Sequence, residues 1–283
     1  MVQCVASQGY GEDPYLSGEM TSQVVKGMQG EDPKYALINA ACKHFAAFDG
    51  PENKGDAEIS GADWLSTYMP MFQKCFEAGS LSTMCTYAQL NGDKGGNHGA
   101  SYGCQNKLVL TDWLRGKMKF KGFVVSDQGA IHDPAMAIEA GCDVEDGFRQ
   151  FSQLGNLTRS GVVKESTIDR ALERAFYVRM VHGEFDPAHM VQYADPEKYG
   201  VDAFDEIFYN RVSLEAARQS ITLLHNVDGF LPLKKQTQKK VAVFGCLVHS
   251  KHIGLGGEIY SDCPAAAIAG YNSAAGNTHP VLT

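Results

Sequence analysis

Three absences in the 283-residue sequence exclude whole classes of protein. No apolar run approaches the roughly 18 residues that a membrane-spanning helix needs, so we expect no membrane span. No CxxC pair is present, which argues against a zinc site, and we predict neither a metal nor another cofactor. Positive charge does not predominate, and the net charge of −8 argues against nucleic acid as a partner. A charge of this sign is ordinary for a soluble enzyme that acts on neutral substrates.

The eight cysteines are scattered along the chain and leave two interpretations open. Cys85 and Cys104 flank a glycine-rich loop, and Cys42 and Cys75 flank a strand followed by a helix, so each pair is spaced to form a disulfide. Free buried thiols are the alternative.

Apolar runs and helical periodicity alternate along the first 185 residues, which predicts an α/β protein with a parallel sheet. Short apolar runs predict strands at 38–48, 80–87, 122–126 and 141–144. Helical patterns predict helices at 14–29, 62–78, 106–119, 135–140 and from about 166. In the first helix, Leu16, Met20, Val24 and Met28 fall on one face, before Gly30 ends the helix.

The number of strands predicts part of a barrel. About four strands precede residue 150, whereas a complete eight-stranded (β/α)8 barrel usually takes about 250 residues. We therefore expect residues 1–185 to hold the later strands of such a barrel. Residues 186–204 are polar and contain proline, which is typical of a linker. Residues 205–283 are predicted to form a bridging helix and the start of a second α/β domain, with its first strand at 241–245.

The most informative stretch runs from Lys121 to Ala130. Its apolar segment, Phe123 to Val125, predicts a buried strand that ends on Ser126 and Asp127. A carboxylate at the exit of a buried parallel strand is where α/β barrels present catalytic groups. The alternative is that Asp127 caps the following helix.

A second apolar run, at 39–48, is interrupted by the adjacent Lys43 and His44. At the end of a strand, both side chains can lean over the mouth of a barrel and donate hydrogen bonds to a polyhydroxylated ligand or a carboxylate. The alternative is a lysine whose stem lies on apolar surface beside a core histidine.

Six blocks of sequence, in order, resemble the family 3 glycoside hydrolases of the β-xylosidase and β-glucosidase type. They are the GEDPYL-G block at 11–18, the KHF block at 42–46, the M-SY-x3-NG block at 84–92, the LLTD-LR…G-VVSD block at 110–127, the AG-DLE block at 140–145, and the LLKN…LPL junction at 223–233. The resemblance runs almost from end to end of the chain, which we expect to be a fragment of the family's fold.

The resemblance implies a retaining, exo-acting β-glycosidase in carbohydrate catabolism, with a small oligosaccharide or glycoside as its partner. By position, Asp127 matches the nucleophile, Lys43 and His44 match the pair that holds sugar hydroxyls, and Tyr87 matches an aromatic residue beside the nucleophile. The family's general acid/base lies in the second domain. Glu258 has no supporting motif, and a solvated loop glutamate is the alternative favoured for it.

The same resemblance favours a secreted or lysosomal compartment, although the chain carries no recognisable signal peptide. Oligomeric state and sugar preference are not assigned. The rival hypothesis is a catalytically impaired fragment or pseudoenzyme that binds carbohydrate or has only a structural role.

Overall fold

The computed structural model describes residues 9–48, 56–90 and 102–233. The chain divides into two compact units, Met1–Ala203 and Phe204–Thr283. In the described part of the second unit the longest helix is α8, Glu206–Ser220, capped by the side chain of Asp205. The predicted strand at 241–245 and Glu258 lie outside the described residues.

A three-stranded parallel sheet forms the centre of the first unit. Its strands are β1 (Ala41–Phe45), β3 (Ser82–Cys85) and β5 (Phe123–Ser126), in the order β1-β3-β5. The short strands β2 (Asp56–Ala57) and β4 (Gln89–Leu90) form a second parallel pair. The α/β class and the parallel sheet are therefore confirmed.

Helices separate the strands of the three-stranded sheet, as the periodicity predicts. The α-helices of the first unit are α1 (Pro14–Gln29), α2 (Gly61–Asp63), α3 (Met69–Glu77), α4 (Pro134–Ala140), α5 (Leu154–Arg159), α6 (Glu165–Val181) and α7 (Pro196–Tyr199). Two π-helical segments occur at Trp64–Tyr68, joining α2 to α3, and at Leu108–Lys117, before β5. The described residues also form short 3₁₀ turns at Gly103–Gln105, Gln150–Gln153, Ala188–Met190, Gln192–Ala194, Val201–Ala203 and Val227–Gly229.

The predicted strand at 141–144 is wrong in extent, because only a single parallel bridge forms, between Val125 and Val144. The Asp143 side chain explains the difference. Its carboxylate accepts the N–H of Val124 at 2.8 Å, a position that a backbone carbonyl would occupy in a continuous ladder.

The apolar face of α1 is not the face that the helix buries. Leu16, Met20, Val24 and Met28 are each 37–48% exposed. The helix packs on α3 through small residues instead, and a Cβ built on Gly18 would lie 3.0 Å from the Lys74 side chain. Glycine therefore permits a close helix–helix approach that the apolar stripe does not direct.

The core lies between the sheet and the helices that pack on it. Phe45, Leu110, Leu114 and Val124 are fully buried and belong to one hydrophobic cluster. This packing fixes the carboxyl ends of β1, β3 and β5, from which the candidate site residues project.

Both cysteine pairs form disulfides, Cys42–Cys75 and Cys85–Cys104, which resolves the alternative of free thiols for these four residues. Among the described cysteines Cys142 is free and buried, and burial raises the pKa of its thiol far above the ordinary value. We therefore expect Cys142 to be unreactive in the folded protein.

Replacing Cys42 and Cys75 together by alanine is expected to lower the free energy of unfolding by about 3–4 kcal/mol. The physical reason is that the bond, which spans 33 residues, restricts the unfolded chain. Urea unfolding followed by circular dichroism measures the change, with Cys142→Ala as the control that breaks no covalent link. Equal stability of the double variant and the unmodified chain would mean that the bond contributes nothing.

Candidate active site

Three parallel strands bring the predicted site residues to one edge of the sheet. Lys43 and His44 lie in the second half of β1, Tyr87 lies two residues beyond β3, and Asp127 follows β5 directly. Because parallel strands present their carboxyl ends at the same edge, residues from three distant sequence blocks converge here.

The Asp127 carboxylate is 3% exposed and held from two sides. Nε2 of His44 lies 3.1 Å from Oδ2, and the backbone N–H of Gln128 donates to Oδ1 at 2.8 Å. The helix-capping alternative is wrong, since α4 begins at Pro134 and its cap is Asp133. The Asp127 carboxylate is therefore buried between two hydrogen-bond donors and does not cap a helix.

His44 and Lys43 occupy different surroundings, as neighbours on a strand do. The His44 side chain is 6% exposed and its ring lies 5.1 Å from that of Phe48. Lys43 is exposed, and both residues line a cleft of about 290 Å³ between α1, β1 and α3. Asp127 is not part of the lining, so His44 is the residue that joins the cleft to the carboxylate.

Tyr87, just beyond β3, contacts the loop that carries Asp127. Its hydroxyl donates a hydrogen bond to the carbonyl oxygen of Gln128, and its ring lies 6.0 Å from that of Phe48. Phe48 thus stands between His44 and Tyr87. The sequence did not single it out, because an aromatic residue in an apolar run is equally typical of a core position.

Two carboxylates near β5 are engaged in structural contacts. Asp143 has a fully buried side chain that pairs with Arg115 at 2.6 Å and also with Arg174. Glu145 accepts backbone N–H groups of Gln150 and Phe151, each at 2.7 Å. Asp143 is therefore a poor candidate for the general acid.

Burial lowers the pKa of the Arg115 guanidinium, and the charge of Asp143 opposes that shift.

Within residues 9–48, 56–90 and 102–233, no cluster of three His, Cys, Asp or Glu side chains is placed to hold a metal ion. In the same residues, no helix has both the length and the apolar character to cross a membrane.

Comparison with known proteins identifies the family to which this chain belongs. Residues 2–178 match the model of the glycosyl hydrolase family 3 N-terminal domain. The chain therefore belongs to glycosyl hydrolase family 3.

Relatives of established name agree with this membership. A xylan 1,4-beta-xylosidase of Xylanibacter ruminicola is 34% identical over 86% of this chain and 29% of its own length. A periplasmic beta-glucosidase of Salmonella typhimurium is 31% identical over 89% of this chain and 34% of its own length. The chain thus spans about a third of the length of these relatives.

Solved structures agree in fold. A beta-glucosidase from Listeria innocua, crystallised in complex with isofagomine, superposes with a TM-score of 0.67 at 25% identity, covering 80% of this chain and 33% of that one. A family 3 beta-glucosidase from Bifidobacterium adolescentis gives a TM-score of 0.64 at 27% identity, covering 79% and 30%.

Changing Lys43 or His44 to alanine is expected to weaken sugar affinity, and for Lys43, which is exposed, the melting temperature should stay within a few degrees. Each variant would lose one donor to a sugar hydroxyl, worth about 1–3 kcal/mol, or roughly fivefold to 160-fold in Kd. Isothermal titration with xylose and differential scanning calorimetry measure the two quantities. A large loss of stability with unchanged affinity would instead assign both residues to the fold.

The matched control for this pair is Lys121→Ala, which removes an exposed lysine just before β5. Because Lys121 lies at the amino end of its strand, away from the carboxyl edge, its removal should change neither affinity nor melting temperature.

Proposed function

We propose that this chain carries the nucleophile half of a retaining, exo-acting β-glycosidase site of the β-xylosidase or β-glucosidase kind. The observation that supports it most directly is the buried Asp127 carboxylate, held between His44 Nε2 and the N–H of Gln128 at the carboxyl end of β5. The names of the xylosidase and glucosidase relatives indicate the substrate class.

In this proposal each residue has a distinct part. An oxygen of Asp127 attacks the anomeric carbon and forms a glycosyl ester, which water later hydrolyses. His44 and Lys43 donate hydrogen bonds to sugar hydroxyls. Tyr87 holds the Asp127 loop through its bond to the Gln128 carbonyl and presents its ring beside the nucleophile. We assign no described residue to the general acid.

The wider organisation is part of the same proposal. Residues 1–185 supply later strands of a (β/α)8-type barrel, residues 186–204 are a linker, and residues 205–283 begin a second α/β domain. The alternation of β1, β3 and β5 with helices supports the barrel. Two disulfides support maturation in an oxidising compartment, consistent with secretion.

Covalent labelling tests the proposal. A 2,4-dinitrophenyl 2-deoxy-2-fluoro-β-D-xyloside should form a stable ester on Asp127, because its leaving group departs without protonation. Intact-mass analysis of the folded chain should show one added fluoroxylosyl group, and peptide mapping should place it on Asp127. The glucosyl analogue tests the other sugar.

The control variants are Asp127→Asn, which should not be labelled, and Asp146→Asn, which alters an exposed carboxylate in the adjacent loop. Absence of an adduct from folded, unmodified protein would overturn the proposal. It would favour the pseudoenzyme, which binds sugar or serves the fold without chemistry.

A further inference from the structure

The Gly103–Gln105 turn is attached to the segment of chain that follows β3. A disulfide joins Cys104 to Cys85, the last residue of β3, and both side chains are fully buried. The N–H of Gly103 also donates to the carbonyl oxygen of Ala88 at 2.9 Å. The turn therefore has a fixed position relative to the carboxyl end of β3.

The side chain of Gln105 reaches from this turn to the end of the loop that carries Asp127. It is 2% exposed, and its Oε1 atom accepts the backbone N–H groups of His132 at 2.6 Å and of Asp133 at 2.8 Å. The loop ends at Asp133, because that residue caps α4. One amide oxygen thus holds the far end of residues 128–133.

The near end of the same loop is held from the same segment of chain. Tyr87, two residues beyond β3, donates a hydrogen bond to the carbonyl oxygen of Gln128. The N–H of Gln128 in turn donates to Oδ1 of Asp127 at 2.8 Å. The chain after β3 therefore holds residues 128–133 at both ends, through Tyr87 and through the Gly103–Gln105 turn.

Loss of the Gln105 oxygen would leave two partly buried N–H groups without their acceptor. Each such group costs about 1–3 kcal/mol while it is kept from water. The loop relieves this cost by moving outward until water reaches both groups, and the short tether passes the movement back to Gln128. Attack on an anomeric carbon is sensitive to such a movement, since a misplacement of about 1 Å can lower a rate about 100-fold.

We infer that Gln105 is a positioning residue for the attack by Asp127, and that the Cys85–Cys104 disulfide is the anchor from which it acts. The inference rests on the proposed function. Gln105 acts by holding the loop, so it affects the rate of attack. Sugar binding, which the proposed function assigns to Lys43 and His44, does not depend on it.

Saturation kinetics of labelling by 2,4-dinitrophenyl 2-deoxy-2-fluoro-β-D-xyloside test this inference on the full chain. In the labelling step an oxygen of Asp127 bonds to the anomeric carbon, and dinitrophenolate leaves with the electron pair of the broken bond. Gln105→Met keeps the length of the side chain and removes the acceptor, so it should lower the rate constant at saturation about 10- to 100-fold. The concentration that gives half of the maximal rate should not change.

Two further variants supply the rescue and the control. Gln105→Glu keeps an acceptor oxygen at the same reach and should restore a rate constant near that of the unmodified chain. Gln153→Met removes an exposed glutamine from another 3₁₀ turn and should change neither constant. Circular dichroism confirms that each variant is folded before it is labelled. A loss of stability without a change in the rate constant would assign Gln105 to the fold alone and overturn the inference.

The role of the disulfide is tested by combining variants. Replacing Cys85 and Cys104 together by alanine should lower the rate constant, and adding Gln105→Met should then lower it little further, because the turn is already released. In a chain that lacks the Cys42–Cys75 bond instead, Gln105→Met should keep its full effect. Equal effects of Gln105→Met in both backgrounds would overturn the inference. If Gln105→Met does not fold, the variant without the Cys85–Cys104 bond decides, since an unchanged rate constant there would also overturn it.

The outcomes separate this inference from the proposed function. If the unmodified chain is labelled on Asp127 and Gln105→Met is labelled at the same saturating rate, the inference fails and the proposed function stands. A change confined to the half-maximal concentration would place Gln105 in sugar binding and would overturn the inference as well. If the folded, unmodified chain is not labelled, the proposed function fails and the inference fails with it.

Discussion

Dinitrophenyl β-xyloside is expected to be hydrolysed about 100- to 10,000-fold faster than xylobiose by the 283-residue chain, the range that general acid catalysis supplies. Dinitrophenolate leaves without a proton, whereas the alcohol of a disaccharide requires one. The nearby carboxylates Asp143 and Glu145 are not available to supply that proton, because both already accept hydrogen bonds from protein groups. Steady-state rates on both substrates, measured with the same preparation, give the ratio.

Azide provides an internal control for this prediction. It attacks the glycosyl ester on Asp127 without needing a base, so it should accelerate release and yield a glycosyl azide detectable by mass spectrometry. Similar rates on both substrates, with no azide effect, would indicate that a residue of this chain serves as the acid, and Glu258 would be the first to change. No turnover of either substrate by folded protein would favour the pseudoenzyme.

Replacing Asp143 by alanine is expected to lower the free energy of unfolding by about 3–5 kcal/mol. The variant leaves Arg115 and Arg174 close together without their shared carboxylate, and leaves the N–H of Val124 without its acceptor. Urea unfolding measures the loss. Asp146→Ala, which removes an exposed carboxylate three residues away, is the control and should change stability by less than about 0.5 kcal/mol.

The contrary result for Asp143 would be informative about mechanism. A variant of normal stability that no longer cleaves xylobiose, but still cleaves the dinitrophenyl xyloside, would identify Asp143 as the general acid. The buried ion pairs would then be secondary to catalysis.

The sequence predicts β1, β3 and β5 because each lies within a short apolar run, but the run at 38–48 extends three residues beyond β1 at each end, since hydropathy does not mark where strand pairing stops. It does not predict the single bridge at Val144. There the Asp143 side chain replaces a backbone acceptor, and hydropathy does not report side-chain hydrogen bonds. It predicts α1 but not its packing, because Gly18 decides how closely α3 approaches.

The candidate site, too, is only partly predictable from the sequence. Asp127 and His44 stand out in separate motifs, and the family resemblance assigns them to one site. Their 3.1 Å contact, however, depends on how three strands align, which no single motif encodes. Phe48 carries no signal in its own stretch, since its place beside His44 and Tyr87 follows from the fold.

The two disulfides have a consequence for how this protein responds to proteases. Cys42–Cys75 and Cys85–Cys104 each enclose a separate stretch of chain. A cut at any peptide bond within either ring leaves both fragments covalently joined. On a gel without reductant the nicked chain should therefore migrate as one species, and the cleavage becomes visible only after a thiol is added.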